Sequence, residues 1–124
     1  MYRYLILLLL ISFGVSSHQF TPTYPVLKQS HMRSVLKVEM QILNKREDVS
    51  YYELEVLDSQ MKSVAFAATQ KIVEVEYLKR KDVEIYIRSR DKDRATYICS
   101  RSKILSGQKK ASAISSKICS KILK

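Results

Sequence analysis

Several stretches of the chain alternate apolar and polar residues with the period of two that a half-buried strand requires. Leu36, Val38, Met40 and Ile42 fall on one face of the first stretch, with Lys37, Glu39 and Gln41 on the other. Asn44 to Asp48 is a polar turn, and the design then repeats with Tyr52, Leu54 and Val56 inward against Glu53 and Glu55. Asp58-Ser59-Gln60 ends that strand. A less regular stretch follows with Val64, Phe66 and Lys71 to Tyr77, in which Val73, Val75 and Tyr77 point inward and Glu74 and Glu76 outward. Lys79 to Asp82 reads as a further turn, after which Val83, Ile85 and Ile87 alternate with Glu84, Tyr86 and Arg88. Upstream of all these, Phe20 to Ser34 contains Pro22 and Pro25 and reads as an extended lead-in with a short edge strand from Tyr24 to Lys28, since proline is tolerated at strand starts and edges. Strands recurring every 10 to 16 residues or so, with polar turns between them, predict an all-β sandwich of about seven strands. Its expected core is Leu36, Val38, Met40, Leu54, Val56, Val75, Ile85, Ile87 and Tyr97. Gly14 and Gly107 are the only glycines, so Asn- and Asp-containing or longer loops are expected in place of tight glycine hairpins.

The sixth strand falls on Asp93-Arg94-Ala95-Thr96-Tyr97-Ile98-Cys99. Asp, a small residue, Tyr and Cys at alternate positions are the pattern of the corresponding strand of an immunoglobulin-like sandwich. There a Tyr two residues before the Cys turns its hydroxyl back onto the preceding corner, and the Cys points between the sheets. Beyond Ser106-Gly107 the period changes. On a helical wheel Ala111, Ile114, Ile118, Cys119, Ile122 and Leu123 share one half and Lys109, Lys110, Lys117, Lys121 and Lys124 the other, which predicts a basic amphipathic helix over residues 107–124. The same residues also alternate as Ile114, Ser116, Ile118, Ser120, Ile122, so a strand stays open; the helix is the reading carried forward.

The chain begins with one positive charge at Arg3, an apolar run from Leu5 through Val15, and Ser16-Ser17, the arrangement of a secretory signal peptide removed after residue 17. The expected organisation is thus a signal peptide at 1–17, a sandwich at 18–106 and a basic tail at 107–124, in a protein exported to the periplasm or secreted. Two cysteines, Cys99 and Cys119, in an oxidising compartment predict one disulfide. His18 and His31, the only histidines, stand at no ligand spacing, so no metal site is expected.

Charge is uneven. Residues 18–93 hold 13 Lys or Arg and 12 Asp or Glu, whereas residues 94–124 hold 8 and none, which with Arg3 makes the 22 basic residues behind the net charge of +10. A basic patch at Lys109, Lys110, Lys117, Lys121 and Lys124 would attract an acidic protein face, an anionic membrane or a polysaccharide. Nucleic acid is disfavoured, because no aromatic rings are interleaved with these charges. The sequence shows no phosphate loop, no paired-His signature and no nucleophile with a His partner, so no catalytic residues, no enzymatic activity and no cofactor are expected.

Taken in order, residues Phe20 to Lys103 resemble the N-terminal immunoglobulin-like domain of periplasmic pilus chaperones. The likeness is carried by the Phe20–Pro25 lead-in, the strand Val35–Leu43 ending at Asn44, the aromatic strand Tyr51–Asp58, the Phe66–Val75 stretch and the strand Val83–Arg88. It covers one of the two domains such chaperones carry. The resemblance implies a non-catalytic accessory of pilus assembly that binds a surface-structure subunit by strand addition. It also implies that Cys99 and Cys119 stand where a long-loop subgroup bonds its last two strands. The family's basic anchors for a subunit carboxylate have no counterpart here, and the helical tail differs from the family's apolar last strand. The second functional reading is a secreted cationic protein whose tail helix lies on anionic membrane or polysaccharide.

Overall fold

The computed structural model describes residues 18–104 and 115–124, so the signal-peptide reading and Lys109 and Lys110 lie outside the described residues. Among the described residues nine antiparallel strands form in chain order: β1 (Gln19–Thr21), β2 (Lys28–Gln29), β3 (Val35–Leu43), β4 (Tyr51–Leu57), β5 (Ala67–Ala68), β6 (Ile72–Glu74), β7 (Arg80–Arg88), β8 (Tyr97–Lys103) and β9 (Lys117–Lys121). They divide into two sheets. One has the order β1-β3-β7-β5 with β2 also on β3, and the other the order β6-β4-β8-β9. The two sheets enclose a single core of Val38, Met40, Ile42, Tyr52, Leu54, Val56, Val73, Val75, Ile85, Ile87 and Ile98 with their neighbours. The all-β sandwich and eight of the nine expected core residues stand as the alternation predicted them, because on each long strand one set of alternate residues is sealed between sheets.

Four expectations are corrected. Residues 117–121 are a strand, β9, paired with β8 in the register Cys99↔Cys119, so over the described residues the tail is the last strand of the sheet and not a helix. The physical reason lies in its inward face, Ser116, Ile118, Ser120 and Ile122. Ser116 sits over a polar floor and the isoleucines over the core, so the pattern is half polar, yet Ser120 and Ile122 are buried. Second, Tyr97 is only half-buried, and Ile98, Ser100 and Ser102 are the residues of β8 that turn inward. The strand is therefore one residue out of phase with the expected Tyr-in, Cys-in arrangement. Third, Tyr77 is exposed, because the strand around it stops at Glu74 and a turn begins. Fourth, the charged run Arg80 to Asp82, expected as a turn, is the start of β7, paired with Leu43, Ile42 and Gln41 of β3.

The lead-in also differs. Its strand pairing falls on either side of Tyr24, with β1 at Gln41–Leu43 and β2 at Leu36–Lys37 of β3. Between them the chain leaves β3 and crosses to the other sheet, where Val26 bridges Leu123 in parallel. Pro22 and Pro25 lack the N–H a continuous ladder would need, whereas the carbonyl of Pro25 remains free to accept from Leu123.

Candidate functional site

The edge of the second sheet is built by β9. Alternate residues of an antiparallel strand turn their amides and carbonyls to the same side. In β9 the even residues face β8: the amide of Ser102 donates to the carbonyl of Ser116 and that of Ile122 to the carbonyl of Thr96. The odd residues face out. There Lys121 N–H donates to the Thr23 carbonyl at 3.2 Å and Leu123 N–H to the Pro25 carbonyl at 2.8 Å, so the lead-in occupies the far end of the edge. Lys117 and Cys119 have no outward backbone partner among the described residues. Cys119 is exposed and bonded to Cys99, which is fully buried, across a Cα–Cα distance of 4.1 Å, the close spacing of a non-hydrogen-bonded pair. The bond locks the register of the edge strand, because a one-residue slip would separate the two sulfurs.

On the outer face above this edge, charge is arranged in rows. Glu55 of β4 takes Arg101 of β8 at 3.1 Å and Lys117 of β9 at 3.3 Å, and Glu53 takes Lys103 at 3.3 Å. Two carboxylates that the sequence left as solvated surface are thus cross-strand partners. Of the predicted basic patch, Lys117 belongs to this row and Lys121 stands on the same face opposite Tyr97. Lys124 lies beyond the strand and donates to the Asp93 carbonyl at 2.5 Å. Of the apolar half of the expected helix, Ile122 is in the core and Ile118 packs against it, Cys119 and Leu123 are exposed, and Ala111 and Ile114 lie outside the described residues.

Beneath the start of β9 lies a buried polar cluster that periodicity did not reveal. His18, 2% exposed, shares its ring nitrogens between the hydroxyls of Ser100 (2.7 Å) and Ser116 (3.2 Å) and rests on Tyr52 with ring centroids 4.4 Å apart. Arg46 reaches Ser102 and Ser116 at 3.4 and 3.5 Å and makes a two-pronged pair with Asp48 at 3.0 and 2.7 Å. Asn44 is fully buried: its amide donates to the carbonyls of Val49 (2.6 Å) and Val75 (2.8 Å), and its oxygen accepts from the Tyr52 hydroxyl (2.5 Å) and the Arg46 amide (2.9 Å). Burial, reinforced by the charge of Arg46 and opposed by a hydrogen bond at Ser100, lowers the His18 pKa from 6.5 to about 4, so the ring is neutral at physiological pH. Burial raises that of Tyr52 to about 12, which keeps its hydroxyl a donor to Asn44. Ser100 is sealed from solvent and its His partner's other nitrogen faces a hydroxyl, so this pair binds strands together and offers no substrate access. The one signal in the sequence was the serine at every second position after Ile98, Ser100 and Ser102, which the expected Tyr-in, Cys-in phase turned outward.

No protein-family model matches the chain. No curated protein matches it either. Among solved structures the chain is similar to that of the E. coli chaperone DraB, with a TM-score of 0.59 and 16% sequence identity over 86% of this chain and 53% of that one. The chain therefore spans about half the length of that chaperone. At this identity the likeness is one of fold, a chaperone-like β-sandwich, and the disulfide is consistent with an exported protein.

Proposed function

We infer that the chain is a non-catalytic, exported binding module that holds an extended segment of a protein partner against the outer edge of β9, as a pilus or surface-assembly subunit would present one. The observation that carries this reading is the edge itself. Lys117 and Cys119 offer outward amides and carbonyls on a strand whose register is fixed by a disulfide and a buried polar cluster. Main-chain hydrogen bonds to such an edge give affinity, and the alternating side chains give selectivity. The fold likeness to a chaperone supports the class of activity.

The test uses the direction of one amide. Because Lys117 N–H points away from β8, Lys117→Pro removes a donor from the open edge without breaking the ladder inside the sheet. The variant, Lys117→Ala and the parent are each co-expressed with a candidate pilus or surface-assembly subunit. The expected result is a complex that survives in Lys117→Ala and is lost in Lys117→Pro, with both variants melting near the parent. Equal recovery of the complex with Lys117→Pro would exclude strand addition at this edge.

A further inference from the structure

The loop between β6 and β7 carries an apolar tip that folding does not explain. Leu78 adopts φ 60°, in the left-handed region, and is 61% exposed; Tyr77 beside it is 45% exposed. A leucine there is disfavoured relative to glycine, which takes the same conformation freely. Stability alone would favour glycine or asparagine. The conformation is nonetheless held firmly, since Leu78 N–H donates to the Asn44 carbonyl at 2.7 Å, Asn44 N–H donates to the Lys79 carbonyl at 3.1 Å, and Asn44 is itself pinned in the core. The tip is therefore a rigid apolar projection. Met61, φ 63° and also exposed, shows the contrast, for it closes the tight Asp58–Lys62 turn with no exposed apolar residue on either side of it in sequence.

The surroundings of the tip are cationic. Lys45, Lys79, Arg80 and Lys81 flank it, all exposed and none in an ion pair among the described residues, against the exposed carboxylates of Glu47, Glu76 and Asp82, the last of which accepts from Gln41. On a chain of net charge +10 this places two large apolar side chains inside a positive rim. Exposed apolar groups ringed by lysine and arginine are the arrangement that partitions into an anionic membrane interface. There the side chains enter the acyl boundary and the cations meet the headgroups.

We propose that the Tyr77–Leu78 tip with Lys45, Lys79, Arg80 and Lys81 docks the domain on anionic phospholipid. The tip stands at the pole where β3 ends and β7 begins.

The experiment is sedimentation of the full chain with vesicles of phosphatidylcholine alone and with 30% phosphatidylglycerol, at about 0.1 M salt. The parent should bind only the anionic vesicles. Leu78→Gly suits the backbone at that position, so it should fold as well as the parent or better while its vesicle affinity drops about tenfold, the effect of removing most of a leucine's apolar surface. Its binding to soluble polyglutamate should stay unchanged. Lys45→Glu with Lys79→Glu should reduce vesicle binding at least as far, whereas the matched changes Met61→Gly and Lys62→Glu should leave it alone. The proposal is overturned if the parent ignores anionic vesicles, if Leu78→Gly binds them as the parent does, or if the Met61 and Lys62 controls lose as much as the tip variants.

Discussion

Replacing Asn44 by alanine removes four buried hydrogen bonds at one position. The Tyr52 hydroxyl, the Arg46 amide and the carbonyls of Val49 and Val75 all lose their partner, in a site with no solvent exposure at Asn44 or Tyr52. A typical buried hydrogen bond contributes about 1 kcal/mol net, and a group left unpaired costs about 1–3 kcal/mol. Four of them set the expected loss at about 4 kcal/mol, a large share of the roughly 5–15 kcal/mol that holds a domain of this size. At about 4–8 °C per kcal/mol that is a fall in Tm of the order of 20 °C. Asn44→Asp should do no better. It keeps the two accepted bonds but turns a carboxylate toward two carbonyl oxygens that need donors. The chain has no tryptophan, so urea unfolding is best followed by far-ultraviolet circular dichroism, with Tyr52→Phe included to complete a double-mutant cycle. The cycle should show a coupling of about 1 kcal/mol between Asn44 and Tyr52. An Asn44→Ala protein within about 1 kcal/mol of the parent would refute the claim that this amide ties the two loops to the core.

Acid should loosen the same region. His18 titrates at about 4 when folded and at 6.5 when free, so its stabilisation is complete above pH 6.5 and is lost as pH falls toward 4, up to about 3 kcal/mol, and a His18→Gln protein should show a flatter profile by urea titration at stepped pH. Removing the disulfide by Cys99→Ser with Cys119→Ser opens a separation of 20 residues and should cost about 3 kcal/mol on the chain-entropy view, measured by thermal melting, with the sandwich dichroism retained. Ile122→Asp buries a charge in the core and should unfold the domain or lower its Tm by more than 20 °C, whereas Lys121→Glu on the outer face should stay within about 0.5 kcal/mol of the parent.

The long strands were legible because each buries a continuous apolar set against the opposite sheet. Leu36, Val38, Met40 and Ile42, or Val83, Ile85 and Ile87, announce both the strand and the face it turns inward. Legibility failed where the interior is polar. The inward positions of β8 and β9 run Ile98, Ser100, Ser102 and Ser116, Ile118, Ser120, Ile122, and Ser100, Ser102 and Ser116 face a histidine and an arginine that no periodicity argument places inside. Cys99 compounds the misreading. It is buried on the outer face beneath its disulfide partner, so an apolar residue marks the wrong side of the strand. The isoleucines at 114, 118 and 122 then fit a helix and a strand alike. Only the pairing of β9 with β8, a tertiary fact, decides between them. The open edge at Lys117 and Cys119 was unreadable for a related reason: it depends on how far the lead-in extends along β9, and the crossing of Pro22 to Leu27 between sheets leaves no mark beyond two prolines.

The clasp between the lead-in and β9 joins residues about a hundred positions apart, from His18 on Ser116 to Pro25 on Leu123. Closing so long a loop is entropically expensive and slow compared with forming the β3–β7 or β4–β8 ladders. A chain emerging from its amino end, from a ribosome or through a membrane pore, can build most of both sheets and still lack the strand that shuts the second one. Until β9 arrives, β8 is itself an unpaired edge with Ile98 and Ser100 uncovered. The order of emergence therefore gives the nascent domain a period of stickiness that ends when β9 docks on β8. Its yield in the cell should depend on how fast β9 is delivered as well as on how stable the finished sandwich is.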